Sequence, residues 1–575
     1  MDSTVVSILD IGSSALRAQQ LRLATASHNI ANASTEGYHR QRVETSAMYH
    51  QGIFGTNPTG MGVEVDRVAR LADGIVNGQL RESLSAMKEG ESSAKIFEEI
   101  ELLLTGAGDG LRAGFSEFFD AAHELAGNPT SSAAREQFFQ RLDQLADGVN
   151  SISSKLNVAE QGAEAIARDE VTELNTMLRD LAQLNAQINT GKASGAAPDM
   201  LDERDLLLDK ISERIGVSVM IQPDQSVRLY TSGGQPLVNE ATANQLSLEQ
   251  VNGEFALKLQ VATSSVDITK STSGGSIMGV LNGGFDMIDD VRTSLGRLAT
   301  VFVESANEIN RMGLDASGQP AGNLFKYDPV VSEPFVENNG SATISASISD
   351  LSQLEDTRYE LLFDGANWDV INDEGIVVGN LSATGGQIDG LDVTISAGAA
   401  VGDRMRIDAV TNIFDSLEVV PTKSSMVAVA HMVSGSAGLS NQGSVNLVDV
   451  RAQDSADPNL YDDVRIRFDT PTSYEMVDSD GNVLQASQPY VVGQTIQFNG
   501  WSAEVNGNPV AGDFIMVYGN AGGQADNRNA VAFANLEDSK IFGGGKRGFV
   551  DEFANLVTKH GTQMAANKQR TESAQ

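Results

Sequence analysis

The chain has 575 residues, with 77 acids against 40 Lys plus Arg for a formal charge of −37, and no cysteine. That excludes disulfide scaffolds, cysteine-ligated metal centres and thiol catalysis, and argues against a phosphate-backbone ligand, which needs clustered cations. At about 150 residues per domain the length predicts three or four domains; an aromatic content of 6% argues against large aromatic-packed cores.

No apolar run approaches the roughly 20 residues of a membrane span. The N-terminus does not read as a cleaved secretory signal either, since Asp2 is acidic and the first cation is Arg17. Residues 1–35 read as a helix. Val5, Leu9, Gly12, Leu16, Leu23 and Ile30 fall on one weakly apolar stripe. Such a helix needs contacts beyond itself, supplied by a partner or by the protein's own body. Residues 36–70 are spotted with glycine (Gly37, Gly52, Gly55, Gly60, Gly62) and end in an alternating run, 62–68, that predicts a strand.

Helical spacing returns over 71–148, with Pro129 near a helix start. A heptad-like seam follows over 151–190, through Ile152, Leu156, Ala159, Ala163, Ile166, Leu174, Met177, Leu181, Leu184 and Ile188. A second one-faced helix is predicted over 285–311, through Ile288, Val291, Leu295, Leu298, Phe302, Ser305 and Ile309. Two such helices far apart in sequence suggest a rod-like bundle. Between them, 217–268 alternates like strands, with a turn at Ser232-Gly233-Gly234.

From 325 to 520 cations thin out and Val, Ile, Thr, Gly and Asp dominate, which argues for all-β domains. A weak repeat runs through this region. Residues 359–364 resemble 464–469, 368–375 resemble 474–481, and 401–407 resemble 511–517; 390–393 parallels 493–496 loosely. After 520 the chain is helical again, with Asp526 as an N-cap candidate and a glycine loop, 543–545, ahead of a helix near Phe549.

Catalytic constellations are missing. His123-Glu124 has no second His at 127, so the helical zinc-protease motif fails. Gly543, Gly545 and Gly548 fit G-x-G-x-x-G without a preceding strand, and Lys546 is followed by Arg547, so neither nucleotide-binding loop is present. Asp478-Ser479-Asp480-Gly481 lacks the later ligands of a calcium loop and reads as a turn. Acidic pairs such as Asp202-Glu203 and Asp289-Asp290 read as solvated helix faces.

Residues 27–40, Ser-His-Asn-Ile-Ala-Asn-Ala-Ser-Thr-Glu-Gly-Tyr-His-Arg, resemble the signature S-x-N-I-A-N-x-x-T-x-G-Y-x-R of flagellar rod, hook and hook-associated proteins. Within that group, Met200-Leu201-Asp202-Glu203-Arg204-Asp205-Leu206-Leu207 is similar to an L-L-D-x-R-D-x-L segment of the hook-associated protein 1 family. Asn128-Pro129 with Ala134-Arg135, residues 275–281 leading to Asn310, Gly313, Asp315 and Gly318, and Asp526-Asn527-Arg528-Asn529-Ala530 fit the same family. The resemblance covers residues 1–320 and 520–575; the β region is only broadly similar. The family's members continue past the equivalent of residue 575 into a heptad helix, so the expectation is that the native chain is longer.

The resemblance implies a structural protein with no enzyme activity and no cofactor. It implies export, unfolded and with an uncleaved signal, through the flagellar type III apparatus to the extracellular flagellum. There, copies would form a ring between hook and filament and adapt a flexible hook to a stiffer filament. The implied partners are the hook protein, the second hook–filament junction protein, other copies of the chain and an export chaperone; nucleic acid and membrane are not among them. The alternatives are another axial protein of hook or rod type, or a surface adhesin or enzyme carried by the β insertions.

The expected fold is multidomain α + β: an elongated helical-bundle shaft of N- and C-terminal segments with inserted all-β domains. Its segments are 1–70 (tube core and export, disordered in the monomer), 71–324 (shaft, with a β-hairpin region at 216–268), 325–412 and 413–520 (two repeat-like β domains) and 521–575 (return helices, without the family's C-terminal helix). Asn29, Ile30, Asn32, Thr35, Gly37, Tyr38 and Arg40 are the expected assembly residues; the competing reading is that they end a helix and shape a loop within one subunit. Asp202, Arg204 and Asp205, with Asp526, Asn527, Arg528 and Asn529, are expected to fix the shaft.

Overall fold

The computed structural model describes residues 2–48, 62–105, 111–190, 198–251, 253–523 and 525–574. Gly52, Gly55 and Gly60 lie outside the described residues, as does the side chain of Val5. Helix α1 (Asp2–Ala31) leads to an antiparallel pair, β1 (Gln41–Ala47) and β2 (Val63–Arg70), in which Val43 faces Val68. Helices α2 (Gly74–Thr105), α3 (Leu111–Gly127), the 59-residue α4 (Ser132–Thr190) and α5 (Pro198–Arg214) follow.

Two small antiparallel sheets come next. One holds β3 (Val217–Ile221), β4 (Val227–Thr231), β5 (Pro236–Asn239) and β6 (Thr242–Ala243); the other holds β7 (Gln245–Val251), β8 (Glu254–Val261) and β9 (Ser264–Asp267). The one-turn helix α6 (Gly275–Met278) runs through a π-helical segment, Gly279–Phe285, into α7 (Asp286–Arg311). Short strands β10 (Gly313–Leu314) and β11 (Phe325–Lys326) then lead to the large sheets.

The first β unit contains β12 (Val331–Pro334), β13 (Ile344–Ile348), β14 (Tyr359–Phe363), β15 (Asn367–Asn372), β16 (Val377–Ser382), β17 (Gly385–Ile388), β18 (Leu391–Ile395) and β19 (Arg404–Asp408). After α8 (Ile413–Ser416), β20 (Glu418–Val419) and β21 (Ala430–His431) comes the second. It contains β22 (Val433–Ala437), β23 (Asn446–Ala452), β24 (Val464–Thr470), β25 (Ser473–Val477), β26 (Val483–Pro489), β27 (Gln494–Phe498), β28 (Trp501–Asn506) and β29 (Phe514–Gly519). Helices α9 (Arg528–Asn535), α10 (Phe542–Gly545) and α11 (Phe549–Ala574) close the described chain.

The two β units share one strand order. The first is a single sheet, β12-β19-β14-β15-β16-β17-β18-β13; the second runs β22-β29-β24-β25-β26 in one sheet and β27-β28-β23 in another. Adding ten to each label of the first gives the second, opened between β26 and β27. This topology corrects the loose pairing of 390–393 with 493–496. Strand β18 corresponds to β28, so the partner of the positive-φ pair Asp389-Gly390 is Asn499-Gly500, which repeats that turn. The error arose because β27 and β28 both begin after a positive-φ glycine, Gly493 or Gly500.

The same side chains clamp both units. Asp403 accepts the N–H groups of Asn339, Gly340 and Ala400, and Asp513 accepts those of Gln442, Gly443 and Val510. Gly340 and Gly443 leave room for these carboxylates, because a Cβ on either would run into the carboxylate oxygen.

The chain forms two compact units, one of residues 1–99, 159–288 and 562–575, the other of residues 100–158 and 289–561. In the first, α4 buries Ala159, Ala163, Ala167, Val171, Leu174, Leu178, Leu181 and Ile188. Ile166, expected on that seam, is exposed, and Met177 is half-buried. Ala167 and Leu178, one residue along, take their places, because a 3.6-residue turn drifts from a strict heptad.

In the second unit the core gathers phenylalanines. Phe115, Phe118 and Phe119 of α3, Phe138 of α4, Phe302 of α7, Phe533 of α9, Phe542 and Phe549 form one connected set with ring centroids 4.8–6.3 Å apart. The low overall aromatic content was a poor guide: the aromatics are few, but phenylalanines concentrate where six helical segments meet.

Candidate assembly site

The signature residues lie in the first compact unit, at the end of α1 and in the turn that follows. Asn29 holds the start of β1 in both directions: its Nδ2 donates to Gln41 O at 2.9 Å, and its Oδ1 accepts Gln41 N–H at 2.8 Å. The Tyr38 hydroxyl donates to the same Oδ1 at 2.7 Å, and its ring meets His28 edge-on at 5.6 Å. Burial, helped by Asp199 and Asp202, pushes the Tyr38 phenol up, which keeps it protonated as a donor.

Asn32 Nδ2 donates to His28 O at 3.1 Å, and Thr35 Oγ1 donates to Asn32 Oδ1 at 3.2 Å, so both close the C-terminal turn of α1. Gly37 has φ +74° and sits against Leu206 of α5, where a Cβ would be both strained and crowded. These five residues therefore build the helix-to-strand turn inside one chain.

Ile30 and Arg40 differ. Ile30 is 78% exposed. Arg40 is exposed and has no side-chain hydrogen bond or ion pair among the described residues. Ile30 also ends a line on α1: Leu9, Leu16 and Leu23, at seven-residue spacing before it, are 68%, 66% and 70% exposed. Ala18 and Thr25 on another face are buried. The apolar stripe thus faces away from the body that α1 packs on.

Beneath the turn, α5 supplies a charged network. His39 donates its N–H to Asp202 Oδ2 at 3.2 Å, and its Nδ1 lies 2.8 Å from Asp202 Oδ1. Arg70 at the end of β2 reaches Asp202 at 2.9 Å and also pairs with Asp205. Arg204 donates to Asp205 Oδ1 at 2.8 Å and to Gln225 O at 2.6 Å. Burial pushes the Asp205 carboxyl up, but Arg204 and Arg70 outweigh it and hold it below the ordinary aspartate range. Asp202 is buried here, not on a solvated helix face. Asp289 also has partners, Arg292 and Arg358. His39, Gln41, Arg70 and Asp199 belong to this site and were not singled out from sequence; only Arg70, a cation ending an alternating run, carried a local signal.

The segment 526–529 lies in the second compact unit, where each side chain holds a different element. Asp526 accepts His431 N–H at 3.2 Å and Asn520 Nδ2 at 2.7 Å. Asn527 Nδ2 donates to Ala126 O at 2.7 Å. The Arg528 guanidinium binds Asp526 and donates to Val433 O at 2.6 Å and Val450 O at 2.8 Å, the roots of β22 and β23. Asn529 donates to Ala428 O at 3.3 Å. The residue at the N-cap of α9 is Asn527, which makes no capping side-chain bond; Asp526 is occupied instead with β21 and Arg528.

The first β unit is tied to helices in the same way. Asp356 accepts from Ser294 at 2.7 Å and Lys559 at 3.1 Å, Arg358 reaches Asp289 at 3.2 Å, and buried Arg297 reaches Glu552 at 3.1 Å. These partners stand too far apart in sequence to be read from it.

Among the described residues no group of three or more His, Asp or Glu is placed to hold a metal ion, and no helix is long and apolar enough to cross a membrane.

Comparison with known proteins identifies the scaffold. Residues 97–325 match the family model "Flagellar hook-associated protein FlgK helical domain", 336–409 match "Flagellar hook-associated protein 1, D2-like domain", and 9–39 match "Flagella basal body rod protein". Flagellar hook-associated protein 1 of Salmonella typhimurium is 28% identical over 438 residues, 74% of this chain and 79% of that one. Its counterpart in Bacillus subtilis is 27% identical over 376 residues, 60% of this chain and 74% of that one. The fold is similar to that of the flagellar hook junction protein FlgK from Burkholderia pseudomallei, with a TM-score of 0.76, 24% identity and coverage of 86% of this chain and 97% of that one. The chain belongs to the flagellar hook-associated protein 1 family.

Proposed function

We propose that this chain is the first junction protein between hook and filament of the bacterial flagellum, a structural part needed for filament assembly. Copies form a ring on the hook, contact the hook protein below and the second junction protein above, and adapt a flexible hook to a stiffer filament. The chain is exported through the flagellar type III apparatus without a cleaved signal, escorted by a chaperone.

The observation that carries this reading is the exposed heptad line Leu9, Leu16, Leu23 and Ile30 on α1, together with the exposed Arg40, which has no side-chain partner among the described residues. Each such side chain gains roughly 1.5–3 kcal/mol on full burial. Four in register make a helix-to-helix seam suited to a tube wall, while Asn29, Tyr38 and Gly37 fix the direction in which α1 leaves the body.

The test is electron microscopy of cells lacking the gene, with an assay for flagellin in the medium. Bare hooks and lost flagellin, restored to filaments by the re-expressed chain, are expected. Normal filaments on the deletion strain would overturn the assignment.

A further inference from the structure

Each β unit carries the same two exposed apolar features at its opposite ends. The first is a turn. In the first unit it spans 335–338, closed by Asn338 N–H to Phe335 O at 3.3 Å; in the second it spans 438–441, closed by Asn441 N–H to Gly438 O at 3.1 Å. Asn338 pairs through its amide with the backbone of Arg404, and Asn441 does so with Phe514. At the second position of each rigid turn stands an aliphatic side chain: Val336, 91% exposed, and Leu439, fully exposed at 107%. The hydrogen bonds explain the asparagines; nothing inside either unit explains the aliphatics.

The second feature is the first two residues of β16 and of β26: Val377 and Val378 in one unit, Val483 and Leu484 in the other, all 42–58% exposed. Topology puts them at the far end from the turn. Strand β14 runs towards the turn end, where the 364–366 loop meets Val401, and β15 runs back to the 373–376 turn before β16 starts. Strands β24, β25 and β26 repeat the path. At about 3.3 Å per residue, the five or six residues of these strands separate tip from landing by roughly 15–20 Å.

Scattered exposed aliphatics need no explanation. A tip and a landing kept at equivalent places in two units that have otherwise diverged do need one. The occupant follows from the pairing itself: the chain carries both halves of an apolar contact, at opposite ends of one body, and carries them twice. The landings hold no charge, which suits contact between copies that each bear −37. We propose that β units of neighbouring copies dock head-to-tail, with Val336 or Leu439 of one copy seated on Val377–Val378 or Val483–Leu484 of the next. This rests on the ring reading above and supplies its outer contact.

The absence of native cysteine makes the test clean. A chain with Val336→Cys and Leu439→Cys is co-expressed with one carrying Val377→Cys and Val483→Cys in the deletion strain, and intact flagella are oxidised. The expected result is a disulfide dimer between the two kinds of chain, several-fold above either chain alone. The tip-to-landing separation within one unit is too long for a direct disulfide. Complete filaments without that dimer, or with tip-to-tip dimers instead, overturn the proposal and leave the junction reading standing. Failure of the native chain to restore filaments would fault the junction reading itself. As a second measure, Val336→Asp with Leu439→Asp should shed filaments under shear while the fluorescence of buried Trp368 and Trp501 stays native; unchanged retention with native fluorescence overturns the proposal.

Discussion

Tyr38 and Gln41 share one acceptor: the Tyr38 hydroxyl and the Gln41 N–H both donate to Asn29 Oδ1, at 2.7 and 2.8 Å. One side-chain amide thus ties the end of α1 to the first residue of β1, while the phenol locks the amide's orientation. The signature's Asn and Tyr are a single device.

Replacing Asn29 with Ala leaves the N–H and C=O of Gln41 without their partner and costs about 1–3 kcal/mol locally, whereas Tyr38→Phe costs about 0.5–1.5 kcal/mol. Hydrogen exchange at the Gln41 amide measures this directly. Exchange should accelerate strongly in Asn29→Ala and modestly in Tyr38→Phe, and equal protection in all three chains would refute the shared-acceptor account.

Asp205 stands between Arg204 and Arg70 and is buried. Asp205→Asn leaves buried Arg204 without this carboxylate and Arg70 with Asp202 alone, for a loss of about 3–5 kcal/mol. The native carboxyl is held below its unfolded value, so its contribution is full above the ordinary aspartate pKa of about 3.9 and fades as pH falls through the folded value. Urea unfolding of α5 and the adjoining sheet, followed against pH, should show an acid-side decline that the Asn variant lacks.

His431 also weakens the fold on acidification, but in a higher pH window. Burial, with Arg528 beside it, pulls its pKa down to about 4, and its buried Nδ1 has no hydrogen-bond partner among the described residues. The unfolded chain takes up a proton near pH 6.5 that the fold refuses. Stability therefore drops as pH falls from about 6.5 towards 4, by up to about 3 kcal/mol. With Trp368→Phe as background, Trp501 reports the second β unit alone; His431→Leu should remove the slope between pH 6.5 and 4.

Two glycines should respond to alanine with opposite signs. Gly162 lies mid-helix in α4 with nothing near its missing Cβ, so Gly162→Ala should stabilise by up to about 1 kcal/mol. At Gly279, in the π-helical segment, a Cβ would collide with the backbone carbonyl of Glu89, and Gly279→Ala should cost about 1–3 kcal/mol. Thermal unfolding of the two variants decides it; a shift of the same sign in both would contradict the close approach of α2 to this segment.

Elements whose periodicity is local were readable from the sequence. The seam of α4, the strands of 217–238 and the mixed α and β character follow from spacing alone. What escaped is set by partners far along the chain. Nothing near Asp202 announces His39 and Arg70, and nothing near Arg297 announces Glu552, 255 residues away. The π-helical segment has no compositional mark beyond its glycines, whose purpose appears only when Ser93 donates to Gly279 O at 2.8 Å. The repeat was visible at β14 and β24, where apolar residues alternate alike, and slipped at β18, where two glycine turns compete for one alignment.

The second β unit begins and ends on neighbours: Val433 of β22 lies opposite Gly519 of β29, and Asn520 N–H reaches Met432 O at 2.9 Å. The first does the same, with Val331 opposite Asp408. To the helices that carry it, each unit is therefore a detour that returns to its point of departure. Such a detour is a place where the chain can be rewritten, lengthened or doubled, while the helices on either side keep their register.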